Sequence, residues 1–356
     1  MVIMALDHVQ DFFHSEAQKF QPDDLARTTA ALFFTRWITH FCAPVFMFAA
    51  GASAFLWWYY KGRSQRELSM YLWKRGLWLV FLELTLLRFE FNFSLTEGPV
   101  LLTVLWALGW SMVVLGFTSR LPMRWLAILS IATIVLHNLF DGRGWAVLHR
   151  PGAIPIHGVV VIVGYPLIPW VAVMSAGFCL GRVLVMDPMA RERWLVRLGA
   201  GLTAAFLLIR SLNVYGDPQP WKTLGVLSFL RCTKYPPSLD FLLMTLGPAL
   251  LMLAWFYRLR LAASNPLAVV GRVPLFYFLA HFFLAHVLTI PYALLLYGRA
   301  AFLLHPFSPE GFPRDYGYSL GVVYLTWILV VLLMYPACVW FGRLKQESRS
   351  PLLAYL

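Results

Sequence analysis

Long apolar blocks alternating with short polar stretches dominate the chain. Residues 159–184, 239–257 and 320–341 are almost unbroken runs of hydrophobic side chains. Each approaches or exceeds the ~20 residues a helix needs to cross a hydrocarbon core of roughly 30 Å. Inside lipid a backbone must satisfy its own hydrogen bonds, so runs of this length predict helices. Barrel strands would be shorter and would alternate strictly. Ten such segments are expected, at about 1–14, 38–60, 70–91, 99–118, 123–140, 157–181, 195–213, 239–257, 273–296 and 319–342. The pattern therefore predicts an all-α fold: a polytopic integral membrane helical bundle of about ten transmembrane helices, forming a single domain over 1–356. No internal repeat or low-complexity run interrupts it.

Composition agrees. Hydrophobic residues make up 60% of the chain and charged residues 13%, about half the charged share of a soluble domain. That leaves too little polar surface to coat a globule in water. The net charge of +12 does not imply nucleic acid, because the basic residues sit in short connections between apolar blocks. Their distribution is a topology signal. Connections 61–75, 119–124, 182–197, 257–272 and 343–356 hold 17 Lys/Arg in 67 residues, whereas 14–37, 88–98, 141–156, 210–237 and 297–318 hold 12 in 101. The positive-inside rule puts the first set, and with it the C-terminus, in the cytoplasm. The apolar run at the start, 1–6, ends at Asp7 and is too short to cross a membrane, so this span is expected to begin upstream. Cys42, Cys179, Cys232 and Cys338 are isolated, with no metal-binding or disulfide spacing, and no metal is expected.

Ionisable groups at membrane depth are costly and mark function by default. Here they gather at the outer ends of the expected spans. Asp7, Asp11 and His14 fall at i, i+4 and i+7, one face of a helix, with His8 about 100° around from Asp7. A carboxylate beside an imidazole fixes its tautomer and raises its basicity, as a general base requires. Arg36 and His40 share a face at the start of the second span, where Pro44 bends the helix and Gly51 allows close approach of another. Glu83 lies deep in the third span and is expected to form an ion pair with a nearby base such as Lys74, Arg75 or Arg88. His137, Asn138 and Asp141 close the fifth span, and Lys234 and Tyr235 open the eighth through a rigid Pro-Pro step. His281 and His286, five apart, lie about 140° apart around one helix and do not form a metal pair. Arg63, Arg66, Arg120 and Arg124 lie in the basic connections.

Several segments resemble bacterial relatives of the heparan-alpha-glucosaminide N-acetyltransferase catalytic domain: Met1-Val-Ile-Met-Ala-Leu-Asp-His-Val-Gln-Asp-Phe-Phe-His14, Arg36-Trp-Ile-Thr-His-Phe-Cys-Ala-Pro-Val-Phe-Met-Phe-Ala-Ala-Gly51, Lys74-Arg-Gly76, Tyr165-Pro-Leu-Ile-Pro-Trp170, Lys234-Tyr-Pro-Pro-Ser238 and Gly271-Arg-Val-Pro-Leu-Phe-Tyr277. They run in the family's order over almost the whole chain. The Arg-Gly pair that usually precedes the Val-Met run is missing. The resemblance implies a transmembrane acyltransferase that takes its acyl group from acetyl-CoA or another acyl-CoA, as co-substrate, in the cytoplasm and delivers it to a sugar amine or hydroxyl on the far side. Laid without gaps on Pro44, Phe46, Phe48 and Gly51, the family's essential histidine falls on Ala30 and the aspartate after it on His40.

The resulting expectation is a multi-pass protein of the inner membrane. His8, His14, Asp7, Asp11, His40 and Arg36 are its catalytic candidates. His137, Asn138, Lys234 and Tyr235 are the substrate-binding candidates, and Arg63, Arg66, Arg120 and Arg124 the candidates for the CoA phosphates. Its partners are membrane lipids and a sugar or glycan acceptor, with no nucleic acid, and a homo-oligomer is compatible with the sequence. Two other readings use the same features. A transporter or flippase of lipid-linked sugars would also need a polar cavity, but the chain has no repeated half. A non-catalytic membrane scaffold would not need the Asp, His and Arg groups on one side of the bilayer.

Overall fold

The computed structural model describes residues 1–15, 19–141, 147–222, 225–259, 261–262, 264–304, 313, 315–348, 350 and 353. The chain is mostly helical. In order, the helices are α1 (Val2–Phe13), α2 (Ala30–Thr39), α3 (Cys42–Tyr60), α4 (Gln65–Leu82), α5 (Arg88–Asn92), α6 (Val104–Thr118), α7 (Met123–Leu136), α8 (Trp170–Leu184), α9 (Pro188–Leu212), α10 (Val226–Leu230), α11 (Leu239–Leu259), α12 (Pro266–Gly271), α13 (Pro274–Tyr297), α14 (Ala301–Leu304) and α15 (Leu320–Glu347). Among the described residues, three short strands, β1 (Val100–Leu102), β2 (Gly152–Ile156) and β3 (Val159–Val163), form one sheet.

Among the described residues, six helical segments are long and apolar enough to cross a membrane: Ala30–Tyr60 (α2 with α3), Met123–Phe140, and α9, α11, α13 and α15. Large apolar side chains stand outward on them, among them Ile128, Leu129 and Ile131 on α7, Leu207 and Leu208 on α9, and Leu325 and Leu332 on α15. Such a surface suits helices solvated by lipid, and the protein is a multi-pass membrane protein.

The other four expected segments are built differently. Segment 1–14 is the 12-residue α1. Segment 70–91 is α4 followed by a π-helical turn at Glu83–Leu87 and by α5. Segment 99–118 opens with β1 and leaves 15 residues for α6. Segment 157–181 is not one helix. Val159–Val163 is a strand, antiparallel to β2 and parallel to β1, and α8 starts only after Pro169. The cause is local. His157 and Gly158 both take positive φ (46° and 83°), which makes the tight turn of a hairpin, and five β-branched residues follow, which favour a strand. Hydropathy alone does not separate a buried strand from part of a helix.

The chain divides into two compact units, Met1–Cys42 with Thr85–Gly98 and Leu261–Leu356, and Ala43–Leu84 with Pro99–Arg260. In the first, α1 packs against α2, α13 and α15, and α13 also meets α5. In the second, α4 pairs with α6, α9 with α11, and α8 with α6 and α7.

Paired glycines set the helix spacing in the second unit. A Cβ on Gly51 would sit 1.9 Å from the Met174 carbonyl oxygen, and one on Gly177 would sit 2.0 Å from that of Phe48. The backbones of α3 and α8 therefore touch. Gly76 and Gly109 do the same for α4 and α6, each with its Cβ position 2.5 Å from the other's carbonyl oxygen. Lipid tails are as apolar as leucine, so close backbone packing of this kind replaces the hydrophobic drive that assembles helices in water. The close approach expected at Gly51 is thus present, with α8 as its partner.

Gly177→Ala is expected to lower stability in detergent micelles by about 1–3 kcal/mol, the usual range for overpacking. Gly201→Ala is the control, because a Cβ there meets nothing within 4 Å. Equal thermal midpoints for the two variants would refute this account of the α3–α8 contact.

Candidate functional site

In the first unit, a buried ion pair joins α1 to α2. The Arg36 guanidinium donates to Asp7 Oδ1, and the Thr39 hydroxyl donates to the same oxygen at 2.7 Å. Arg36 also lies 3.8 Å from Asp11 Oδ1. Asp7 and Arg36 are both buried, while the Asp11 side chain is 57% exposed. The i, i+4 spacing of Asp7 and Asp11 thus presents two carboxylates to one arginine. His40, one turn beyond Arg36, is buried at the C-terminal cap of α2.

His14 departs from the helical face extrapolated from the sequence. Helix α1 ends at Phe13, and His14 is extended (φ −75°, ψ 131°), bridged to Tyr318 as in a parallel sheet. The Tyr318 N–H donates to Phe13 O at 2.7 Å and the Ser15 N–H to Tyr318 O at 3.1 Å. The pull of this backbone pairing outweighs one further helical residue.

His8 is paired across to α13. Its Nδ1 lies 2.9 Å from His281 Nε2, with the two rings within 9° of parallel. His281 is fully buried, and its Nδ1 contacts the Tyr277 carbonyl oxygen. A carbonyl only accepts, so His281 Nδ1 carries a hydrogen. In a neutral His281 the lone pair is then on Nε2, and the hydrogen between the rings belongs to His8 Nδ1. The lone pair of a neutral His8 is left on Nε2. His281 was passed over in the sequence because it was weighed only against His286 on its own helix. His286 has a different place: its Nδ1 contacts the Glu90 carbonyl oxygen at 2.6 Å, and its ring stacks on Phe12.

The second unit holds the remaining candidates. His137 Nδ1 lies 3.1 Å from His149 Nε2, and Asp141 Oδ1 is 3.8 Å from the same His149 nitrogen. Asn138 Nδ2 donates to Asp141 Oδ2 at 2.7 Å, while Asn138 Oδ1 accepts from the Leu239 N–H at 2.9 Å. The end of α7 is thereby tied to the start of α11. Burial pushes the Asp141 carboxyl above the usual carboxylate range, against the pull of Asn138 and His149. Lys234 is buried and lies 5.2 Å from the Tyr235 ring, and the Tyr235 hydroxyl reaches that of Tyr165 at 3.4 Å.

Three further groups in this unit escaped the sequence reading. Arg210 is 2% exposed and donates to the carbonyls of Phe229, Gln219, Ser228 and Arg231, 3.6 Å from Asp240. Asp217 accepts from the Thr233 N–H and hydroxyl and from the Ser238 hydroxyl. The signal was available, since Arg210 and Asp240 stand at the ends of apolar blocks, as do the residues that were selected.

Among the described residues, Glu83 is met by hydrogen-bond donors of α6 in place of the expected ion pair. Its carboxylate accepts from the Thr103 N–H and hydroxyl, both at 2.7 Å, and from the Trp106 N–H at 3.1 Å. It caps the N-terminus of α6, where free N–H groups and the helix dipole favour an anion.

The basic connections are open to solvent. Arg63 pairs with Glu67 at 2.8 Å, and Arg66 is exposed beside it. Arg120 reaches Ser69 and lies 5.5 Å from the Trp73 ring. The Gln65–Ser119 hydrogen bond, 3.0 Å, brings the start of α4 to the end of α6, so these three arginines share one end of that helix pair. Arg124 lies over Trp125, at the start of α7.

The family model described as Heparan-alpha-glucosaminide N-acetyltransferase, catalytic, matches residues 11–220. That stretch includes Asp11, His14, Arg36, His40 and the His137–His149 cluster, and Asp7, His8, Lys234, Tyr235 and His281 lie outside it. No curated protein and no solved structure gives a significant match.

Removing one member of a buried ion pair leaves the other charge uncompensated and costs about 3–5 kcal/mol. Asp7→Leu alone and Arg36→Met alone are each expected to destabilise the protein by that amount in detergent. The double variant should recover much of the loss. Additive losses in the double variant would show that the pair is not the unit that matters.

Proposed function

The chain belongs to the heparan-alpha-glucosaminide N-acetyltransferase catalytic family, and from that premise we propose that it is a membrane acyltransferase. It takes an acetyl or other acyl group from acyl-CoA on the cytoplasmic side of the inner membrane and passes it to an amine or hydroxyl of a sugar on the periplasmic side. The loop-charge asymmetry supports this orientation, with the C-terminus in the cytoplasm.

The observation that carries the chemistry is the His8–His281 pair. Its hydrogen-bond chain runs from the Tyr277 carbonyl through His281 to His8 and leaves the basic lone pair on His8 Nε2. His281 is the positioning residue, in the way a third group orients the base beside a nucleophile. The acceptor N–H or O–H gives its proton to His8 Nε2 as its nitrogen or oxygen attacks the thioester carbonyl carbon. The C–S bond then breaks, and the CoA thiolate takes the proton back from His8. Asp11, three residues along α1 and hence on the neighbouring helical position, favours the transient imidazolium. Asp7, Arg36 and Thr39 hold α1 and α2 together around it.

Arg63, Arg66, Arg120 and Arg124 are assigned to the CoA phosphates, because guanidinium groups bind phosphate through paired N–H donors. Lys234 and Tyr235 are assigned to the acceptor. His137 and Asn138, the other acceptor candidates, also bond within the fold, to His149, Asp141 and the Leu239 amide.

Purified protein supplied with acetyl-CoA and glucosamine is expected to release CoA. His8→Ala should lower turnover by about 10²- to 10⁴-fold, the usual contribution of a positioned base. His281→Gln should lower kcat by less and leave the KM for acetyl-CoA unchanged, since it orients the base and touches no substrate. Wild-type turnover in His8→Ala, with the protein folded and inserted, would remove the base from the mechanism.

A further inference from the structure

A three-residue cluster in the second unit lies outside the acyl-transfer chemistry. His137 caps α7 and opens a 3-10 turn, His137–Phe140, and Asp141 follows that turn. His149 comes from the segment before β2, which is held in place by backbone bonds. The Leu167 N–H donates to Val147 O at 3.0 Å, and the Ile168 N–H donates to Leu148 O at 2.7 Å. Rigid elements thus deliver two imidazoles and one carboxylate to a single point. One ligand atom from each lies within 4.8 Å of the other two.

The hydrogen-bonding leaves this point unbalanced. Only one hydrogen can lie between His137 Nδ1 and His149 Nε2. Whichever ring donates it, Asp141 Oδ1 remains buried with no hydrogen-bond partner among the described residues. The outer ring nitrogens, His137 Nε2 and His149 Nδ1, also have no partner among the described residues, and a cation on the facing nitrogens would put the ring hydrogens there. A cation would take up the lone pairs of both facing nitrogens and of the carboxylate oxygen together.

Distances favour a small transition metal. Bonds of 2.0–2.1 Å to nitrogen put neighbouring tetrahedral ligand atoms about 3.3 Å apart. The two nitrogens already stand 3.1 Å apart. Asp141 Oδ1 lies 3.8 Å from His149 Nε2 and within 4.8 Å of the His137 ligand atom, so it has to move inward to join them. The rings cross at 67°, so both lone pairs can converge without the rings stacking.

An outer layer is also present. Asn138 Nδ2 holds the other carboxylate oxygen of Asp141, and the Leu239 N–H holds Asn138. Ligating carboxylates are commonly oriented by such bonds. Two neutral imidazoles and one carboxylate suit Zn²⁺ and its neighbours, whereas Ca²⁺ and Mg²⁺ prefer sites made of oxygen. We propose that His137, Asp141 and His149 form a binding site for a divalent transition metal of the Zn²⁺ class, with a fourth position left for water or a substrate oxygen.

The test uses the full chain, free of any polyhistidine tag, purified in detergent and stripped with EDTA. It is titrated with CoCl₂ and followed by visible absorption. The wild type is expected to develop Co²⁺ ligand-field bands that saturate at a stoichiometric ratio and are displaced by ZnCl₂. His149→Ala should abolish them. Asn138→Ala keeps all three ligands and should weaken Co²⁺ binding about 10- to 100-fold. Asp141→Asn, which preserves shape, is the second ligand variant should His149→Ala fail to fold; it too should lose the saturable bands. Tryptophan fluorescence and elution volume report folding for each. Absence of saturable bands in the wild type, or equal bands in folded His149→Ala and Asp141→Asn, would overturn the proposal and leave a hydrogen-bonded pair of neutral histidines. CoA release plays no part in the readout, so the acyltransferase assignment stands or falls separately.

Discussion

No water reaches the hydrocarbon core of a bilayer, so each charge carried there must find its partner within the chain. This constraint accounts for the placing of several buried charged groups among the described residues. Arg36 takes Asp7, with Thr39 completing the carboxylate. Glu83 takes the open amides of α6. Arg210 takes four carbonyl oxygens and faces Asp240. Each joins two segments distant in sequence. Between these polar joints the helices pack through glycine, with the α3–α8 contact at Gly51 and Gly177 close enough for the backbones to touch.

The His8–His281 pair obeys the same constraint and makes chemical use of it. A buried imidazole without a hydrogen-bond partner would be costly. His281 is satisfied on both sides, by a backbone carbonyl and by His8. That satisfaction leaves only one tautomer open to a neutral His8. The lone pair of that tautomer is on Nε2 of the partly exposed ring on α1, while the fully buried ring on α13 fixes the orientation. A general base needs both properties, access and a defined proton-accepting atom.

How much of this was legible depended on the kind of signal. Apolar run length located the six helical segments that are long and apolar enough to cross a membrane among the described residues, because a span is long and its signal strong. It failed at 157–163, where a run of valines is equally apolar as strand and as helix, and the deciding cue was His157-Gly158. That Arg36 faces the Asp7 side of α1 followed from helical spacing and matching depth, although Asp7 was expected to orient a histidine rather than to pair with Arg36. The role of His281 did not follow, because spacing on one helix says nothing of a partner 273 residues away. His149 was missed for the same reason: it lies in no apolar block, and only the fold carries it to His137 and Asp141. Glu83 was expected to meet a basic side chain, Lys74, Arg75 or Arg88, yet the free N–H groups and dipole at a helix N-terminus also favour a carboxylate.

The central claim concerns one hydrogen: that His281 holds His8 as the Nδ1–H tautomer, with Nε2 as the base. It is tested most directly by ¹⁵N NMR of protein labelled at histidine, with the His8 signals identified by their loss in His8→Gln. The account predicts that, at a pH where His8 is neutral, its Nδ1 is protonated and its Nε2 is not, and that this preference disappears in His281→Ala. An Nε2–H tautomer for His8, or a tautomer unchanged by the loss of His281, would contradict it.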